Sequence, residues 1–87
     1  MSIRSYKNQA PTIGDKTYID DSAVIIGKVT VGNDVSIWPL TVIRGDVNSI
    51  CIGNNTNIQD GSVLHVTQAN DFNPGGFSLK IGNNVTV

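Results

Sequence analysis

The chain holds a single histidine, His65, within residues 56–66, TNIQDGSVLHV. An imidazole can ligate a metal through one nitrogen or shuttle a proton near neutral pH. With no second histidine it cannot by itself complete a zinc site, which needs at least three protein ligands. It is equally a poor start for a catalytic triad. Around it stand few other groups with chemistry. Gln59 lies six residues before it, Asn57 two before that, and Arg44 and Asp46 flank Gly45 one repeat earlier. Taken alone, Arg44 and Asp46 are a surface ion pair of little worth, and the Arg-Gly-Asp triplet is no evidence of receptor adhesion. Asn54-Asn55-Thr56 and Asn84-Val85-Thr86 match a glycosylation pattern but read better as turn residues.

The bulk composition narrows the field. Eighty-seven residues make at most one small domain. A formal charge of -1 without Lys/Arg clusters argues against nucleic acid and anionic membranes. No apolar run approaches the ~18 residues that span a bilayer. The N-terminal MSIRSYKNQAP lacks a signal-peptide stretch, and Cys51 is the one cysteine. That excludes an internal disulfide framework, fits a reducing compartment and makes a cytoplasmic location the expectation.

What positions these residues is a repeat. Ile13, Ile19, Ile25, Val31, Ile37 and Ile43 fall six apart, and the series resumes at Ile52, Ile58 and Leu64, then at Ile81 and Val87. Four places after nine of them comes a small or β-branched residue: Thr17, Ala23, Val29, Val35, Thr41, Val47, Thr56, Ser62 and Val85. Aliphatic-Gly steps at Ile13-Gly14, Val31-Gly32, Ile52-Gly53 and Ile81-Gly82 are separated by 18, 21 and 29 residues. One turn of structure is thus three hexapeptides, with three residues inserted once and eleven inserted later. Each hexapeptide reads as a short strand with its aliphatic residue inward, followed by a turn. Stacked turns bury the apolar rows on one another. The expectation is an all-β parallel β-helix of triangular section, about three coils plus the start of a fourth. Residues 1–10 form an N-terminal segment and residues 11–87 the β-helix. The triplet 49–51 is expected to widen one corner, with Cys51 inside it. Residues 67–78, TQANDFNPGGFS, are expected to leave the third coil as a loop, either a tolerated surface insertion or the border of a site.

The register also maps the outer surface. The residue after each inward aliphatic points out: Asp20, Trp38 and Gln59 on the second side, Ile26, Arg44 and His65 on the third. Arg44 is expected directly beneath His65, with Gln59 around the corner. Trp38, before Pro39, reads as an apolar spot suited to packing against another subunit or a helix.

SIWPLTVIRGDV (36–47), TNIQDGSVLHV (56–66) and IGNNVTV (81–87) resemble the gamma-class carbonic anhydrase family, above all its bacterial carbonic-anhydrase-like members. The resemblance covers nearly all of the chain from residue 11. It implies the left-handed form of the β-helix and assembly as a homotrimer. It further implies a zinc ion, or iron in some members, held by histidines between two subunits, where a metal-bound hydroxide attacks CO2 to give bicarbonate. By this resemblance His65 matches the first metal ligand, and Arg44 and Asp46 match a salt-bridged pair across the subunit interface. Gln59 matches the residue that hydrogen-bonds the hydroxide, and Asn57 a supporting polar residue. Such chemistry needs an open coordination place, and the metal lowers the pKa of bound water to about 7.

The departures from the family pattern set further expectations. The family's other two histidines follow the segment matching 81–87, whereas this sequence ends at Val87. The chain is therefore expected to be an N-terminal portion with one ligand of three, inactive in CO2 hydration alone and prone to aggregate or to require partner chains. Val47 stands where archaeal members carry a proton-relay glutamate, and residues 67–78 contain none. Two other readings share the fold: a hexapeptide-repeat acyltransferase using one histidine as base, and a non-catalytic trimeric metal-binding scaffold.

Overall fold

The computed structural model describes residues 1–67 and 75–87, so the middle of the expected 67–78 loop lies outside the described residues. The strands are β1 (Ser2–Arg4), β2 (Thr12–Ile13), β3 (Tyr18–Ile19), β4 (Val24–Val31), β5 (Ser36–Ile37), β6 (Val42–Ile52), β7 (Asn57–Ile58), β8 (Val63–His65) and β9 (Leu79–Ile81). Every strand pairing is parallel and in step with the repeat. Ile13, Val31, Ile52 and Ile81 stack along the first side. Ile19, Ile37 and Ile58 stack along the second, and Ile25, Ile43 and Leu64 along the third. The chain is a parallel β-solenoid of about three turns, the left-handed β-helix of hexapeptide proteins. Among the described residues no helix is long and apolar enough to cross a membrane.

The core is the inward row of the repeat. Ile25, Ile37, Ile43, Ile50 and Ile58 are 0% exposed, each covered by its like in the next coil. Thr41 and Thr56 are buried too, and their hydroxyls donate upward to the carbonyls of Gln59 (3.1 Å) and Gly82 (2.7 Å). β-branched threonine thus fills an inward place while tying one coil to the next, and no described buried side-chain nitrogen or oxygen lacks a partner.

The corner after the first side is held by stacked amides. Asn33 Oδ1 accepts the Asp15 N–H (2.8 Å), Asn54 Oδ1 that of Asn33 (2.8 Å), and Asn83 Oδ1 that of Asn54 (2.7 Å). The next residue at each level, Lys16, Asp34, Asn55 and Asn84, has φ between 54° and 58°, the left-handed conformation that Asn and Asp adopt at least cost. At the corner after the second side Leu40 has φ 62° and is 70% exposed. A γ-branched apolar residue there is strained and uncovered.

Two features depart from the periodicity. First, the three inserted residues do not sit at 49–51. In the β4–β6 ladder Gly27 faces Gly45 and Val29 faces Ile50, so 46–49 bulge opposite Lys28 alone. Ile50 takes the inward place expected of Val47, which is 37% exposed. Cys51 is a regular rung, half-buried between Thr30 and Lys80. The reason is volume: both Val47 and Ile50 are β-branched, but the larger side chain gains more by burial. Second, Ser2–Arg4 carry no repeat signal yet add a rung beneath Val24–Ile26. They are led into the first coil by a tight turn at Lys7 and Asn8, where Tyr6 and Gln9 pair. At the far side, Thr67 and Phe77 exchange backbone hydrogen bonds (3.2 and 3.1 Å), closing the neck of the later insertion. Asn48, from the bulge, donates to the Gly75 carbonyl at 2.9 Å.

This register predicts opposite outcomes for two neighbours. Ile50→Ala should destabilise by about 2–5 kcal/mol, while Val47→Ala should stay within about 0.5 kcal/mol. Chemical denaturation of both variants checks this, and equal losses would place the bulge elsewhere.

Candidate functional site

On the third side the outward column runs Arg4, Ile26, Arg44, His65, each paired with the next. Arg44 and His65 are therefore direct cross-strand neighbours. Asp46 follows by two residues, at the start of the bulge, and the bulge turns its carboxylate back toward them, a common use of such irregularities. Arg44 Nε lies 3.4 Å from Asp46 Oδ2, and His65 Nε2 lies 3.2 Å from Asp46 Oδ1 and 3.1 Å from Arg44 Nη2. His65 Nε2 thus faces an obligate donor and an ionised acceptor at once. Unprotonated, it accepts from Arg44; protonated, it donates to Asp46.

Asp46 is the most enclosed member, 18% exposed against 48% for Arg44 and 43% for His65. Burial is the largest single influence and pushes its carboxyl up. The N–H groups of Val47 and of Asp46 itself, then the charges of Arg44 and His65, together outweigh it and hold the pKa below 3.8.

Asn57 and Gln59 are on the second side, flanking the inward Ile58. Gln59 is exposed, and no hydrogen bond among the described residues joins this pair to His65. Asn57 has a partner that periodicity did not reveal: the Trp38 indole N–H donates to its Oδ1. Trp38 also stacks on Tyr18, with ring centroids 5.1 Å apart. The Tyr18 hydroxyl donates to Asp20 Oδ1 (2.8 Å), and this bond leads the influences that raise the phenol pKa above 10. The signal for the Trp38–Asn57 pair was present in the register. One follows Ile37 and the other precedes Ile58, which makes them diagonal neighbours within reach of a long side chain.

The register places Arg44 beside His65, and within the chain Asp46 reaches both of them, a contact that counting along the repeat did not give. Among the described residues no three His, Cys, Asp or Glu side chains form a group able to hold a metal ion. One imidazole beside one carboxylate does not fit a complete zinc centre.

Comparison with known proteins bears on the family and the fold. A family profile described as bacterial transferase hexapeptide (six repeats) matches residues 10–45. Protein YrdA of Escherichia coli is 55% identical over 85 residues, covering 98% of this chain and 46% of that protein. The chain belongs to the hexapeptide-repeat, gamma-carbonic-anhydrase-like family. Gamma carbonic anhydrase 1, mitochondrial, of Arabidopsis thaliana is 40% identical over 80 residues, covering 92% of this chain and 29% of that one. The crystal structure of a hexapeptide transferase family protein from Anaplasma phagocytophilum superposes with a TM-score of 0.84 at 36% identity, covering 99% of this chain and 46% of that one. This gamma-carbonic-anhydrase-like chain spans less than half the length of these relatives.

The depressed Asp46 pKa has a definite sign. Its ionised form adds stability above pH about 4, and that stability is lost as pH falls through the folded-state value. Asp20, lowered first by the Ser22 N–H and then by the Ser22 hydroxyl, acts in the same window. Thermal melts from neutral to acid pH should therefore fall off more gently in Asp46→Asn than in the parent, without becoming flat. An unchanged acid limb would mean that the cluster contributes nothing to folding.

Proposed function

We propose that this chain is part of a metal-dependent, gamma-carbonic-anhydrase-like protein that interconverts CO2 and bicarbonate at the interfaces of a homotrimer. The observation that carries the reading is His65 held on an outward face, with Arg44 and Asp46 within 3.4 Å. His65 would supply one imidazole to a zinc or iron ion, and the remaining ligands would have to come from outside the described residues. When bound, such a metal lowers the pKa of water to about 7. The chain's own part is positional. Asp46 and Arg44 fix the imidazole edge, and Gln59 and Asn57 present amides on the adjoining side.

Assembly is supported by the same face. Val24, Val42 and Val63 form a second outward column on the third side, where a solvent-facing sheet would ordinarily carry polar residues. Val63 is 69% exposed and Leu40, just before β6, is 70% exposed. Covering these side chains with a second subunit buries apolar area and gives the strained Leu40 a purpose. The outward, aliphatic Val47 favours a second reading, a trimeric metal-binding scaffold without hydration activity, because it offers no group to relay a proton.

Zinc content, sedimentation and stopped-flow CO2 hydration test the reading. The 87-residue chain alone should bind no zinc tightly and show no hydration. Extending it by a further coil that carries two histidines in register should give a trimer with about one zinc per subunit and measurable hydration. His65→Ala in that extended chain should lose both. Zinc without hydration would favour the scaffold, and acyl-CoA binding without zinc would favour an acyltransferase.

A further inference from the structure

We infer that Trp38 is a positioning residue that locks the Asn57 carboxamide with its two amide hydrogens outward, making Asn57 a hydrogen-bond donor on the face shared with Gln59. The donor role in the metal site rests on the function proposed above; the lock itself does not. An indole N–H can only donate, so the Asn57 atom facing Trp38 Nε1 is Oδ1 and Nδ2 is left to point elsewhere. Asn57 backbone groups are fixed as well, its N–H on the Val85 carbonyl (2.8 Å) and its carbonyl accepting the Val87 N–H (2.9 Å). Those bonds hold the backbone that carries the side chain, and the indole N–H selects the carboxamide orientation that presents Oδ1 to it.

Trp38 is itself braced from below. It stacks at a tilt of 41° on Tyr18, whose hydroxyl is held by Asp20. Asp20 Oδ2 accepts from both the N–H (3.0 Å) and the hydroxyl (2.7 Å) of Ser22. The Ser22 oxygen accepts in turn from the Leu40 N–H at 2.8 Å. A continuous column thus runs across three coils, from Ser22 through Asp20, Tyr18 and Trp38 to Asn57. Its upper end is a carboxamide whose Nδ2 has no hydrogen-bond partner among the described residues and can address an oxygen of a small anion or a bound water.

The test follows the Trp38 indole N–H in a nitrogen-correlated NMR spectrum of the extended protein, where the resonance is assigned by its loss in Trp38→Phe. Asn57→Leu should move that resonance upfield and speed its exchange with water. Asn57→Asp, which still accepts but cannot donate, should retain it. Trp38→Phe keeps the stack on Tyr18 without the N–H and should shift the Asn57 side-chain amide pair. An indole resonance indifferent to Asn57→Leu overturns the lock. Should that variant fail to fold, an Asn57 amide pair unmoved by Trp38→Phe overturns it equally. In the zinc-loaded extended protein, Trp38→Phe and Asn57→Asp should each lower kcat/KM by about 10-fold at unchanged zinc content. Unchanged kcat/KM in an active parent overturns the positioning role. A parent that binds zinc without hydrating CO2 removes the carbonic anhydrase reading and leaves the lock to be judged by the NMR shifts.

Discussion

In-register stacking of parallel coils, about 4.8 Å apart, governs everything else in this chain. It obliges each inward side chain to rest on its counterpart one coil away, which is why Ile19, Ile37 and Ile58 recur with so little variation. It also obliges outward side chains to form columns. Arg44 meets His65 because Ile43 meets Leu64; the site is a by-product of core registration. A solenoid has no distant contacts to arbitrate between alternative registers, so the apolar rows carry that task alone.

The exception to strict stacking assembles the charged cluster. Three residues added between Gly45 and Ile50 leave both flanking ladders intact. The same addition frees Asp46 from the outward column and lets its carboxylate reach Arg44 and His65 together. Close approach of the backbone at this corner constrains what surrounds the bulge. A Cβ on Gly45 would lie 2.6 Å from the Lys28 carbonyl oxygen, so the turn tolerates added residues after this glycine but not a side chain on it.

Most of the core was legible because strand periodicity and burial are the same signal, and the Arg44–His65 neighbourhood followed from it by counting. The site of the bulge was not, because Val47 and Ile50 are both acceptable inward residues and only packing volume separates them. Ser2–Arg4 were invisible for a different reason: a rung at the end of the stack has one covered face and needs no inward repeat partner beyond Ile3. The Trp38–Asn57 bond escaped because it runs diagonally, whereas the repeat reports direct neighbours.

The amide stack at the first corner has a consequence for how such a chain ages. Asn33, Asn54 and Asn83 each accept a backbone N–H through an uncharged oxygen. Carboxylates in the same places would line up like charges one rung apart and repel. The acid at this level of the sequence, Asp15, occupies the first coil, where its carboxylate takes no part in the stack. One deamidated rung between two neutral ones meets no like charge and still accepts its N–H, whereas deamidation of two successive rungs would set carboxylates one coil apart, so damage at this edge would tell only as it accumulated.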